Sequence, residues 1–298
     1  EEIGRSLAPV PFVSSVLQAS TALKRIPHCD FAQDLLAQLA SGDKTASLAF
    51  FERGQREVLE HPKARVVNGC ITGIKSMVAD AASADFFIVS AASDEDEGGF
   101  GWYCAESAAA GLSIRPVECI DRIRPHADLH FQNVKCKRLG EAGKGQIYSQ
   151  AAINAIAVLS AFEQLGAAEA ALELSLNYVK TRLAFNRVVA SYQAVKHKLA
   201  DMYVKNQLAR SHCYYGAWAL TQSAEALPRA AAGARLAASD ALNFAAEESV
   251  ELHGGIGFTW EGDIQLYYRR ARLLATQWGG RDQWARQLTE ALRKERAI

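Results

Sequence analysis

Seven apolar side chains, Leu159, Phe162, Leu165, Ala168, Leu172, Leu176 and Val179, recur at spacings of three and four. That period belongs to one buried face of a long helix and to no strand. From about Gln146 to the C-terminus the chain keeps this helical, alanine-rich character. A second helix is predicted from Ser191 to about Gln222, carrying Val195, Leu199 and Met202. A third runs from about Arg229 to His253, with Pro228 near its start and Gly254-Gly255 as its stop. A fourth covers Asp263–Thr276, and a short last helix follows Gly280. Long antiparallel helices with short links fit a four-helix bundle.

Upstream the period changes. Between about Thr45 and Gly140, short runs rich in Val, Ile and aromatics are bounded by Gly, Asp and Asn, which is the pattern of strands. The runs are Ala64–Ile71, Lys75–Ala79, Phe86–Ser90, Phe100–Cys104, Leu112–Val117 and Leu129–Val134. Asn68-Gly69 is a turn signal, and the acidic stretch Asp94–Gly99 reads as a solvated hairpin loop. Six short strands without intervening helices predict a small antiparallel sandwich or barrel. Before Lys44 the chain again looks helical, through Val13–Leu23 and Asp30–Leu39, after a turn at Pro9-Val10-Pro11.

Composition narrows the function classes. Thirty-three basic residues balance thirty-three acidic ones, which argues against a nucleic-acid partner held by bulk charge. No uncharged apolar run of membrane-spanning length is evident, so no membrane partner is expected, and no signal peptide is visible. The six scattered cysteines form no CxxC pair and no zinc pattern, the usage of a cytoplasmic protein with reduced thiols. The opening Glu1-Glu2-Ile3 lacks a methionine and points to residues upstream. The chain has no GxGxxG, Walker A, GxSxG or HExxH motif.

Two segments stand out. In Tyr178–Arg187, followed by Ser191–Lys196, one helix ends near Arg182 and another begins near Ser191. Arg182 at such a junction either reaches a phosphate bidentately or caps its own helix; Phe185 either packs on a flat ring or belongs to the core. In Glu251–Phe258, three glycines in four positions either admit a ligand close to the backbone or form an ordinary helix stop.

Together these segments resemble the acyl-CoA dehydrogenase family. Arg182–Lys196 resembles its signature, in which a long helix ends in an Arg-x-x-Phe-Gly loop before a Gln-rich helix. Leu252–Phe258, with Tyr267–Ala271 downstream, is similar to its Gly-Gly-x-Gly motif and the helix after it. Ile71-Thr72-Gly73 and Ala84-Asp85 resemble its middle-domain strands. The resemblance implies an α+β multidomain fold: 1–44 as a partial N-terminal helical domain, 45–141 as a middle antiparallel β-barrel or sandwich domain, and 142–298 as a C-terminal four-helix bundle. It also implies FAD, an acyl-CoA substrate and α,β-desaturation. A carboxylate removes the α-proton and hydride passes to flavin N5. By position, Arg182 and Phe185 match contacts to the pyrophosphate and adenosine half of FAD across a subunit boundary. Gly254 and Gly255 match the backbone lining that half, and Gln193 matches a nearby helix position. Glu251 stands where the family has Gln, which keeps an acceptor and loses donors.

The departures from the family gather at its chemistry. Its usual base position falls on Gly279, within Trp278–Arg281, and the alternative position falls on Ile156, beside Ala157. The flavin-contacting Trp-Ile-Thr strand reads Met77-Val78-Ala79, and the preceding substrate loop shrinks to Phe50–Gly54. This split resembles the non-catalytic-type subunit of bacterial heterotetrameric steroid acyl-CoA dehydrogenases, which implies a second, unlike dehydrogenase subunit as partner in a tetramer. Two other readings stand beside it. One is an active homo-oligomer whose base lies elsewhere, with Glu163 and Glu247 as the carboxylates to consider. The other is a non-enzymatic scaffold on the old fold.

Overall fold

The structure, a computed structural model, describes residues 1–55 and 61–296. The chain forms two compact units, one of Glu1–Ala8 with Ala157–Ile298 and the other of Pro9–Ile156. This grouping cuts the chain differently from the division at 44 and 141. The first eight residues, including α1 (Glu2–Arg5), go with the late helices, and the remaining early helices go with the sheet.

The unit Pro9–Ile156 opens with a π-helical stretch, Val13–Ala19, that runs into α2 (Ser20–Leu23). Next comes α3 (Asp30–Ser41), which buries Ala32, Leu35 and Leu39 on one face. The strands follow as β1 (Ala46–Ala49), β2 (Arg65–Val67), β3 (Cys70–Ala79), β4 (Phe86–Ser93), β5 (Gly101–Glu106), β6 (Leu112–Val117), β7 (His126–Lys135) and β8 (Lys137–Leu139). Asn68 and Gly69 both take positive φ, the tight turn that suits a hairpin's twist. The predicted run Ala64–Ile71 is therefore two strands folded on their own turn. Strands β1 and β8 escaped prediction because four and three residues show no alternation to read.

The strand order is β6-β7-β3-β2-β4-β5-β8, and β1, off this path, also pairs with β4. The expectation of an antiparallel sheet is corrected: β1 runs parallel to β4, and so does β2. The cause is topological. Strand β3 reverses against β2, and the Ala81–Ser83 turn reverses the chain again, so β4 travels with β2. Among the described residues, the ladder between β2 and β4, which joins β6-β7-β3-β2 to β4-β5-β8, has two residue pairs, Arg65↔Ala92 and Val66↔Ser93. Phe87, Val89, Ile71, Leu129 and Phe131 form the core of this unit.

The unit of late helices contains most of α4 (Gly145–Thr181), then β9 (Leu183–Ala184), β10 (Arg187–Val188), α5 (Gln193–Gln222), α6 (Leu227–His253), α7 (Ile264–Thr276) and α8 (Arg281–Arg296). The last helix has 16 residues, longer than expected. A core cluster of this unit is built around Leu165 of α4 from small side chains: Ala161 of α4, Ala209 and Cys213 of α5, and Ala234, Ala238 and Ala241 of α6. Small residues let helix axes approach closely. Helix α4 is buried on more than the predicted stripe, since Ala155, Ala157 and Val158 are buried while Leu159, Phe162 and Leu176 are half-buried. An all-round apolar helix belongs in a protein core. It is also long and apolar enough to cross a membrane by length and composition, which the sequence reading missed. Its apolar window is 83% buried inside the protein, as a core helix is.

Candidate functional site

The candidate residues of the late helices converge on one end of that unit. Helix α4 stops at Thr181, where the Arg182 amide still donates to Tyr178. The link to α5 is a small antiparallel hairpin, β9 against β10, turning on Phe185 and Asn186, both at positive φ. Phe185 stands 94% exposed at its tip, so it is no core residue. The Arg182 guanidinium is exposed and has no hydrogen-bond or ion-pair partner among the described residues, so it does not cap its helix. The hairpin is anchored from below. The Val189 amide donates to the Arg182 carbonyl at 2.8 Å and the Tyr192 hydroxyl to the Ala184 carbonyl at 2.9 Å. The Arg187 guanidinium lies 3.7 Å over the Tyr192 ring.

The glycine turn meets the same end. One helical turn before Arg182, Tyr178 stacks on His253 with ring centroids 4.4 Å apart. His253 closes α6, its Nδ1 donates to the Ser249 carbonyl at 2.7 Å, and Gly254 follows directly. Gly254 has φ 62° and ψ −139°, a conformation for glycine. A Cβ built on Gly254 or Gly255 would meet nothing within 4 Å, so their backbone faces open space. Beside them is a cleft of about 620 Å³ walled by Glu247, Val250, Glu251, Phe258 and Tyr268.

Gln193 begins α5 and its amide bonds His197 Nε2 at 2.8 Å. Glu251 pairs with Lys198 at 2.6 Å, and Lys198 also donates to Glu248. Partial burial pulls the Lys198 ammonium down, but its bonds to the two carboxylates outweigh that and hold it above its ordinary value.

Neither of the two positions expected for a base carries an acid. Ile156 is apolar and buried. Gly279 sits at φ 108°, and a Cβ there would fall 2.7 Å from Gln283 Oε1 and 3.1 Å from Trp284 Nε1. The buried Arg235 fixes the chain just before this turn, donating to the Leu274 carbonyl and, at 2.6 Å, to the Gln277 carbonyl. Of the other carboxylates considered, Glu163 is buried in an ion pair with Arg270 at 2.9 Å, and Glu247 is paired with Arg272.

In the sheet unit, Met77 takes φ 56° where β3 bulges against β7, and its amide donates to Asp128 at 3.1 Å. Ala79 is buried, and its carbonyl accepts from Ser47. The shortened loop hides a feature that sequence reasoning missed. Glu52 is buried against Lys75 at 2.7 Å and also accepts the Lys63 and Ala64 amides. Burial, partly offset by Glu52, brings Lys75 down to about 8. The partners lie 23 residues apart, and nothing local pairs them.

Residues 143–291 match the sequence model of the acyl-CoA dehydrogenase C-terminal domain. Over 273 residues the chain is 34% identical to acyl-CoA dehydrogenase IpdE2 of Mycobacterium tuberculosis, an alignment covering 91% of this chain and 69% of that relative. It spans between 35% and 56% of the next three curated relatives. Among solved structures it resembles the Tcur3481-Tcur3483 steroid ACAD G363A variant, with TM-score 0.87, 26% identity, and coverage of 100% of this chain and 80% of that one. It shares its fold with the ChsE4-ChsE5 complex from Mycobacterium tuberculosis, with TM-score 0.85, 24% identity, and coverage of 98% and 78%. The chain therefore belongs to the acyl-CoA dehydrogenase family, oxidoreductases acting on the CH–CH bond of acyl-CoA thioesters. Within it, the resemblance is to the steroid type.

Proposed function

We propose that this chain is a subunit of a cytoplasmic hetero-oligomeric acyl-CoA dehydrogenase, that it holds the nucleotide half of FAD, and that a partner subunit supplies the base. The substrate class is a steroid-type acyl-CoA thioester. The family layout of 1–44, 45–141 and 142–298 is part of this reading. The observation that carries it is the Tyr178–His253 stack, which brings the Arg182 hairpin and the Gly254-Gly255 turn to one end of the helices. The residues present suit the group. The glycine backbone faces open space beside a cleft, Arg182 is a free guanidinium for a pyrophosphate, and Phe185 is an exposed ring for a flat partner. Gln193 offers amide donors, and the charge of Glu251 is already met by Lys198.

When bound, FAD supplies the hydride acceptor for α,β-desaturation. This chain's part is binding and orientation. Gly279 has no side chain, Ile156 is apolar, and Glu163 and Glu247 are committed to arginines. A relative crystallised as a complex of two named components supports the unlike partner.

The test is co-purification with an acyl-CoA dehydrogenase subunit encoded beside it, read by flavin absorbance and dye reduction. The complex is expected to be yellow and active, and the chain alone to be colourless and inactive. Arg182→Ala should weaken flavin retention in the complex by about tenfold or more, the loss of one charged hydrogen-bond partner. An isolated chain that keeps flavin and reduces dye with an acyl-CoA overturns the heteromer, and a flavin-free active complex overturns the FAD assignment.

A further inference from the structure

Helix α5 carries two seams. Toward its own unit it buries Leu199, Met202, Asn206, Ala209, Cys213 and Gly216, three and four residues apart in alternation. On the opposite side Val204, Leu208, Ser211, Tyr215 and Trp218 repeat that alternation. A helix packed on one side only is polar on the other. Here Tyr203, Val204, Leu208, Tyr214 and Trp218 are each between 49% and 58% exposed. Half the surface of three aromatic and two aliphatic side chains is on the order of 500 Å² per copy, or about 1,000 Å² for a pair, the size at which specific interfaces begin.

The rings are held ready. Tyr215 and Trp218 stack with centroids 5.5 Å apart and planes at 17°, and the Tyr215 hydroxyl accepts from Arg229. Tyr214 meets Phe162 edge-on at 5.6 Å. Anchors already ordered lose little entropy on docking.

The seam also fits itself. About a two-fold axis through Ser211, an antiparallel second copy of α5 sets Val204 against Trp218 and Leu208 against Tyr214. Small thus faces large at each end, and the smallest side chain sits where the helices cross. A parallel pair would put Trp218 against Trp218 and Val204 against Val204, crowding one end and leaving a gap at the other. The Ser211 hydroxyl already donates to the Gln207 carbonyl at 3.1 Å, so burying it strands no donor. A two-fold contact presents the same patch from both copies, so a charge near its axis meets a like charge. This seam is uncharged, and the flanking cations are taken by their own chain. Lys205 lies over the Phe244 ring, Arg210 pairs with Glu169 and Glu1, and Lys198 pairs with Glu248 and Glu251.

We propose that α5 is the contact between two copies of this chain, paired antiparallel about Ser211. The inference goes beyond the cofactor reading and needs neither FAD nor the unlike subunit.

Ser211→Cys tests it, in the full chain and in its complex with the unlike subunit. Mild oxidation with glutathione disulfide should link two copies through position 211, mapped by mass spectrometry, with the native chain as control. Chains carrying Val204→Cys should link only after mixing with chains carrying Trp218→Cys. Leu208→Glu should weaken self-association in sedimentation by at least about a hundredfold while the denaturation midpoint holds. In the complex, Leu208→Glu should lose the pairing and keep flavin, whereas Arg182→Ala should lose flavin and keep the pairing. The proposal is overturned by a position 211 that never links to itself or links to the unlike subunit instead. Val204→Cys linking to itself, the mark of a parallel pair, or self-association untouched by Leu208→Glu overturns it equally.

Discussion

Lys75 and Glu52 carry opposite charges at side-chain exposures of 0% and 5%. Removing one partner of such a pair strands a charge out of water. Lys75→Met is therefore expected to cost about 3–5 kcal/mol in chemical denaturation. Lys75→Met/Glu52→Gln should cost less, because no unpaired charge is left and the amide oxygen still accepts one of the Lys63 and Ala64 backbone N–H groups. Alkaline pH gives a second reading. Burial holds Lys75 at about 8 against an ordinary 10.5. Between these values the unfolded chain keeps a proton that the folded chain has released, so this group's contribution to stability rises with pH across that window. The stability of the native protein relative to Lys75→Met should increase from pH 8 to 10.5 in denaturation midpoints. A flat or falling difference would mean that the ammonium is not desolvated.

The Phe185-Asn186 hairpin is the element on which the cofactor reading turns. Asn tolerates a left-handed backbone, whereas Phe there costs about 1–2 kcal/mol. Phe185→Gly should therefore leave the denaturation midpoint unchanged or slightly raised, and the Val189 amide at least as protected from hydrogen exchange. The same variant should lose flavin in the complex. A drop in stability would instead make Phe185 a packing residue. How much of this was legible varied with range. The helix ends at Arg182 and His253 could be read because a period stopped there and glycine or a basic residue followed. The hairpin could not, because Leu183–Ala184 and Arg187–Val188 are two residues each and carry no alternation. Nor could the pairing of Tyr178 with His253, the parallel strands at β4, or the Glu163–Arg270 pair, since each depends on partners far apart in sequence.

At the scale of the whole molecule, Glu1–Ala8 folds with helices that begin about 150 residues later in the chain. Two glycines let it approach. A Cβ on Gly4 would lie 1.9 Å from the Glu163 carbonyl oxygen, and one on Gly166 would lie 2.0 Å from that of Glu1. Polar contacts then hold the segment. Arg5 pairs with Glu173 at 2.7 Å, the Tyr267 hydroxyl donates to the Arg5 carbonyl at 2.6 Å, and Arg210 bridges Glu1 and Glu169. Gly166→Ala should thus destabilise the full chain by about 1–3 kcal/mol, as overpacking does, and expose the first eight residues to hydrogen exchange. Deleting residues 1–8 should reverse the sign. With nothing for the methyl group to strike, alanine inside α4 becomes the better helix former by about 1 kcal/mol. The same substitution should then raise the denaturation midpoint of the shortened chain. An equal loss in both backgrounds would show that position 166 is crowded by its own helical unit rather than by the N-terminal segment.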